Sequence, residues 1–305
     1  HYATTELVQK KMSNTILAVI FALTAGLFYA IASVTQQRIA FQQSPELSLS
    51  FRLIKALAKK PLWLLGVLID VGAYLFEALA LGFGSLLLVG PLMVSGLLFS
   101  VPLAAFVEKQ RIGRREIIPA LMVTIGLATF LIVGNPTGNN SSAPVLGWVA
   151  TGVAVAALVS LALLWGRRPS VPPNRRAFWF GLATGTIYGF TAVITKSTVD
   201  LLDGGIVEVL THWQPYVLVA VSIIGLIVNQ SAFQAGHVAA SLPVIAVANP
   251  ALSAFLGVVL FGETIGAQGA LEWIVVLVAI AAAVLGTVAL AQSPLVTHGS
   301  THEET

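Results

Sequence analysis

The sequence predicts an all-α polytopic membrane protein, with nine transmembrane helices set as two inverted four-helix repeats joined by a connector helix. Three observations carry this reading: a scarcity of charge, a recurrence of apolar runs of bilayer length, and a small-residue motif that returns in the second half. Only 10% of residues are charged and 57% are apolar, against roughly 25% charged in an ordinary soluble domain. Most of the surface therefore faces lipid. On such a chain a net charge of +3 is no footprint of nucleic acid, and none is expected as a partner. Cysteine is absent, so there is no disulfide framework.

A hydrocarbon core about 30 Å thick needs about 20 helical residues. The stretches that meet this length are 14–36, 61–82, 85–107, 117–134, 145–166, 177–199, 209–232, 237–261 and 270–292. The alternating pattern of a membrane barrel is missing. The first stretch follows Lys10 and Lys11 and contains Ala30-Ile31-Ala32, the outline of a cleaved leader. Its length and its recurrence favour a retained span behind an extracytoplasmic tail, residues 1–13. Next comes ELSLSFRLIKALA at 46–58, which is too short and, with Arg52 and Lys55, too charged for an easy crossing. An amphipathic helix along the cytoplasmic surface fits it better than a tenth span, which would move the N-terminus inside. All six tryptophans (Trp63, Trp148, Trp165, Trp179, Trp213, Trp273) fall near span ends, as an interfacial belt requires.

The loops divide by charge. One side gathers Arg38, Arg52, Lys55, Lys59 and Lys60, then Lys109, Arg111, Arg114 and Arg115, then Arg167, Arg168, Arg175 and Arg176. The other holds Lys10 and Lys11, with Lys196 near a span end. The positive-inside bias makes the first side cytoplasmic. This predicts a multi-pass protein of the plasma membrane with its N-terminus outside and the tail 293–305 inside.

The first span contains ALTAGLFYAIASV (22–34) and the sixth GLATGTIYGFTAV (181–193). Ala22, Gly26 and Ala30 correspond to Gly181, Gly185 and Gly189, Tyr29 to Tyr188 and Val34 to Val193. Small residues four apart make a helix face that another backbone can approach closely. Further on, GSLLLVGP (84–91) opens the third span and GHVAASLP (236–243) the eighth, and glutamate-bearing turns close both, at Glu108 and Glu263. The repeat pairs spans one to four (14–134) with six to nine (177–292), leaving 135–176 with the fifth span as connector. An odd number of crossings separates each helix from its counterpart, so the halves are inverted. Such architecture is common among secondary transporters, whose site lies near the midplane between repeats.

Asp70 and Glu77 lie inside the second span. Seven residues is nearly two helical turns, so both carboxyls share one face about 10 Å apart along the axis. An ionised group at the bilayer centre costs at least about 2.5–3.5 kcal/mol, so such acids persist where they face a cavity or a partner. Either can hold a cation or relay a proton; a buried acid that only ties helices together is the plainer alternative. Lys196, at a depth similar to Glu77, is expected either to approach that carboxylate or to snorkel to the outer interface. Asn229 and Gln230 occupy the seventh span, and Asn249-Pro250 is expected to interrupt the eighth, because proline frees a carbonyl. Aligning Pro91 with Pro243 sets Glu77 opposite Asn229. The candidate pathway for a substrate or coupling ion is therefore Asp70, Glu77, Asn229 and Asn249, with Lys196 nearby, and with Tyr29, Tyr188 and Gln230 lining or gating it. If a metal binds, Asp70 and Glu77 are its ligands. The five histidines show no metal-ligand spacing, and Asn139 and Asn140 head glycosylation sequons on the outer loop. No nucleophile, base and oxyanion constellation can be assembled, so no enzyme and no resident cofactor are expected.

At these residues the chain resembles the drug/metabolite transporter (EamA-like) superfamily: GTIYGFTAVITK (185–196), SLPVIAVANP (241–250) and Phe261-Gly262-Glu263 carry the likeness. The nearer likeness is to NIPA-type magnesium transporters, through PLWLLGVLID (61–70), EALALG from Glu77 and SLLLVGPL from Ser85. The chain departs from them with Gln36-Gln37-Arg38 where a basic cluster is typical. The resemblance implies nine spans and transport of a small solute or cation by alternating access, with Mg²⁺ or H⁺ as the transported or coupling ion. Two other readings stay open. One is a non-transporting subunit or lipid-binding scaffold, working as a homodimer or in a larger membrane complex; the other is a flippase for a lipid-linked or amphiphilic substrate.

Overall fold

Residues 2–41 contain no proline and one glycine, and in the computed structural model nothing interrupts their helix. The structure describes residues 2–108, 112–138, 142–235 and 238–292. The helices, in chain order, are α1 (Tyr2–Phe41), α2 (Phe51–Leu57), α3 (Pro61–Phe83), α4 (Leu86–Met93), α5 (Ser95–Glu108) and α6 (Arg114–Val133). They continue with α7 (Val145–Gly166), α8 (Pro173–Asp200), α9 (Ile206–Thr211), α10 (Gln214–Ala235), α11 (Val238–Phe261) and α12 (Ala270–Ala291). Among the described residues there is no strand, only a bridge between Thr137 and Thr264.

Among the described residues, eight helical segments are long and apolar enough to cross a membrane. Their outer faces are covered by nothing in the protein; Leu146 on α7 is 78% exposed, a surface only lipid can satisfy. The chain is a polytopic helical protein embedded in a bilayer.

Several elements differ from the sequence expectation. The tail expected before the first span is helical, since α1 already runs from Tyr2. The third apolar run is broken: α4 ends at Met93, and Val94 N closes a tight turn on Pro91 O before α5 begins. Pro91 has no N–H to give the carbonyl of Leu87, and the helix yields there. The interruption expected at Asn249-Pro250 does not occur, and α11 stays continuous through Pro243 and Pro250. The run 209–232 divides into α9 and α10 because Pro215 favours a first helical turn and His212 is extended. Segment 46–58 forms a 3₁₀ turn and the seven-residue α2, about 10 Å long and too short to span. Leu53 and Leu57 of α2 are fully buried against Ile39, Trp63 and Phe233, so its apolar face meets protein. Trp63 leaves the expected belt for the same reason: it is 3% exposed and bonded inside the bundle. The sequons at Asn139 and Asn140, the Gly236-His237 pair of the second motif and the tail 293–305 lie outside the described residues.

The small-residue stripes do set the packing. A Cβ on Gly185 would stand 2.7 Å from Ala248 Cβ, and one on Gly189 would stand 2.8 Å from Asn249 O. α8 therefore lies nearly backbone to backbone on α11. In the first half Gly26 of α1 meets Ser95 and Gly96 at the start of α5 in the same manner. α1 also packs closely on α3, as α8 does on α10. Gly126 and Gly286 bring α6 and α12 together, each facing the other helix's backbone.

Candidate functional site

Between these helix groups lies a cavity of about 410 Å³. α3 supplies one wall through Val67, Asp70, Val71, Tyr74 and Glu77. These positions fall three or four apart and so form one helical stripe, while Leu68 and Leu75 on the opposite face are exposed to lipid. At 1.5 Å per residue, Asp70 lies about 14 Å and Glu77 about 24 Å from the start of α3. Both carboxyls therefore stand within the hydrocarbon layer.

The other walls come from both ends of the chain. α1 contributes Tyr29 and Ser33, and the α4–α5 break contributes Met93, Val94 and Leu97. α8 adds Tyr188 and Thr191, α10 adds Ser222, Leu226, Asn229 and Phe233, and α11 adds Ile245, Ala246, Asn249 and Pro250. Six of the eight residues singled out from sequence, namely Asp70, Glu77, Asn229, Asn249, Tyr29 and Tyr188, thus line one space. The α4–α5 break and the prolines have a local purpose here. Pro250 cannot donate to Ala246 O four residues back, and Ala246 is itself on the cavity wall.

The polar groups differ in how far they are satisfied. Tyr29 Oη donates to Glu77 Oε2 at 2.7 Å, and no donor among the described residues takes Oε1. Thr195 Oγ1 donates to Thr191 O, so the 2.7 Å contact between Tyr74 and Thr195 has the phenol as donor. Asn229 is 8% exposed, yet its amide has no hydrogen-bond partner among the described residues, and neither has that of Asn249. Buried amides are ordinarily bonded; these two face the cavity with capacity to spare. Among the described residues no three His, Cys, Asp or Glu side chains come together as a metal site. Asp70 and Glu77 are the charged groups of the wall among the described residues.

Gln230 and Lys196 are placed elsewhere. Gln230 is fully buried beside the cavity: its Nε2 donates to Gln36 Oε1 at 2.6 Å, and its Oε1 accepts from Trp63 Nε1 at 3.3 Å. The Gln36 amide in turn lies beside the Asp70 carboxyl. Leu49 N donates to Ser231 Oγ at 2.9 Å, and Gln234 Nε2 to Ser44 O, so the same end of the cavity is stitched by neutral bonds from α10 to the first half.

Lys196 takes neither expected course. It is fully buried, so it does not snorkel, and Nζ donates to Leu81 O at 3.3 Å and Gly84 O at 3.1 Å rather than to Glu77. Glu263, which the sequence marks only as part of a turn and of the family likeness, completes this end. Its two oxygens accept from Leu86 N and Leu87 N, each at 2.8 Å. Burial pushes the Glu263 carboxyl upward, while those two N–H donors and the Lys196 charge pull it down. Gly138, at φ +147°, passes directly over its side chain, where any Cβ would clash. Helical spacing alone could have revealed Tyr74, since it falls between Asp70 and Glu77 on the stripe. Glu263 and Gln36 carry no such signal.

No family model matches the chain, and no solved structure matches it. It is 33% identical over 291 residues, 95% of its own length and 99% of the other's, to an uncharacterised protein of Corynebacterium glutamicum. At this identity and coverage the chain belongs to the family of that corynebacterial protein.

Proposed function

We propose that the protein is a secondary carrier that moves a small solute or cation across the plasma membrane by alternating access. Nine crossings serve this purpose, the broken α4–α5 pair counting as one, in two inverted repeats with α7 as connector, as in the drug/metabolite transporter superfamily. The observation that carries the reading is the cavity at mid-depth, walled from both halves and holding two acids that lipid would not tolerate. The repeat-related pairs Tyr29 with Tyr188 and Glu77 with Asn229 all face it. Supporting this, α1 with α3 and α5 repeats the packing of α8 with α10 and α11. A dry scaffold has no use for unbonded amides around a cavity. A flippase for an amphiphile is the second reading, favoured by the apolar part of the wall.

The ends of the cavity suit alternation. At the outer end Lys196 and Glu263 of the second half grip the α3–α4 turn of the first. At the inner end the ties are neutral hydrogen bonds, worth about 0.5–1.5 kcal/mol each. The inner set opens more cheaply than the charged outer set.

Proteoliposome uptake, comparing Mg²⁺, proton gradients and candidate metabolites, tests the carrier. Asp70→Asn and Glu77→Gln are each expected to lower uptake at least tenfold while the protein still folds. Uptake unchanged in both variants removes these acids from the pathway; no uptake of anything by the wild type favours the scaffold. Orientation has its own check, aided by a chain that lacks cysteine. Ser13→Cys is expected to react with an impermeant maleimide from outside whole cells, and Ser170→Cys only after the membrane is opened. The reverse pattern would invert the assigned topology.

A further inference from the structure

The carrier reading leaves its cargo open, and the cavity wall narrows it. We infer that the occupant is a monovalent organic cation with an apolar or aromatic body, its charge between Asp70 and Glu77 and its body against the rings and aliphatic side chains. This rests on the carrier reading for its biological sense, though binding can be measured without it.

Charge comes first. Among the described residues the wall holds two acids and no base, and the buried Lys196 is committed to two carbonyls. A phosphate or carboxylate entering this space would meet like charge, and no described residue of the wall carries a charge to pair it. A cation meets two carboxylates, one of them with an oxygen that no described residue takes, and two unpartnered amide side chains, one of them only 8% exposed.

The rest of the wall decides which cation. A divalent ion such as Mg²⁺ gives up its water reluctantly and keeps several ligands as water. Those waters need acceptors on all sides, and a hexahydrated ion fills only about 180 Å³ at roughly 30 Å³ per water. The cavity is about 410 Å³, within the size range of small-molecule sites, and presents Val67, Met93, Leu97, Leu226 and Ile245 where such waters would point. An organic cation sheds its weak hydration at less cost, buries its carbon surface at about 25 cal/mol per Å², and gains from the faces of Tyr29, Tyr74 and Tyr188.

The test uses the full-length protein in nanodiscs of zwitterionic lipid, titrated calorimetrically with benzyltrimethylammonium, with benzyl alcohol as a neutral body of similar shape, and with Mg²⁺. Benzyltrimethylammonium is expected to bind saturably, and the other two not to bind at the same concentrations. Asp70→Asn and Glu77→Gln should each weaken it at least tenfold. Leu226→Trp, which leaves both acids and fills the wall, should weaken it as much, and thermal melting checks that each variant is folded. Saturable Mg²⁺ binding that the organic cation does not displace, equal binding of the alcohol, or no saturable binding of benzyltrimethylammonium overturns the inference. Binding without uptake of radiolabelled benzyltrimethylammonium by proteoliposomes supports the inference and sinks the carrier; uptake of other solutes without this binding does the opposite.

Discussion

Glu263→Ala is expected to cost about 2–6 kcal/mol, at about 1–3 kcal/mol for each of the two buried amides it leaves without an acceptor, more than any single change in the cavity wall. The first N–H groups of a helix and the last C=O groups have no partner within it. At the α3–α4 turn both sets are buried, and each is met by a charge of the correct sign for the helix dipole. Glu263, 1% exposed, takes Leu86 N and Leu87 N at the start of α4, and Lys196, wholly enclosed, takes Leu81 O and Gly84 O at the end of α3. Truncating the glutamate strands two amides and leaves the lysine charge uncompensated. Lys196→Met strands the carbonyls and leaves the carboxylate. The double variant is expected to lose less than the two single losses together, by at least about 1 kcal/mol, since much of each single cost is the charge left behind. Unfolding by sodium dodecyl sulfate in mixed micelles measures all three. Strict additivity, or a loss that vanishes at high salt as a surface pair's does, would show that the two charges act separately.

How much of the fold and the site is legible in the residues depends on the range of the forces involved. Spans are legible because a bilayer imposes a length on each apolar run, locally. The acids of α3 are legible because their burial in lipid is costly wherever the helix lies, and Asp70 and Glu77 duly face the cavity. Whether a proline breaks its helix is a tertiary matter, and here the expectation is reversed. Pro91 lies in the last turn of α4, just ahead of the break at Val94, whereas Pro250 sits in an unbroken α11, its own carbonyl taken by Ser253 Oγ at 3.2 Å. Lys196 shows the limit most clearly. A sequence suggests acidic partners for a buried lysine, but its partners are backbone carbonyls, which every residue possesses and no pattern marks. Glu263 reaches amides 176 and 177 residues away, and only the assembled bundle brings them together.

Gly189→Leu is expected to abolish solute uptake and to lower stability by about 1–3 kcal/mol, the usual cost of overpacking, while Gly152→Leu leaves both nearly unchanged. At Gly189 a Cβ would stand 2.8 Å from Asn249 O, 2.9 Å from Leu252 Cβ and 3.3 Å from Ser253 N. The obstacles are backbone and a helix-fixed Cβ, not the flexible end of a side chain, so α11 itself has to retreat from α8. α11 carries Asn249, Pro250 and Ala246 on the cavity wall; its displacement enlarges the space and withdraws the polar groups set against Asp70 and Glu77. At Gly152 on α7 nothing lies within 4 Å of the same built atom. A leucine there meets lipid and improves helix propensity by up to about 1 kcal/mol. The pair separates close backbone approach from the general weakness of glycine in a helix, because both substitutions relieve the second and only one violates the first. Uptake by reconstituted protein and thermal melting read the two effects. Equal behaviour of the two variants would mean that the Gly181–Gly185–Gly189 stripe is incidental, and that α11 is held in place within the second half by something other than its close contact with α8.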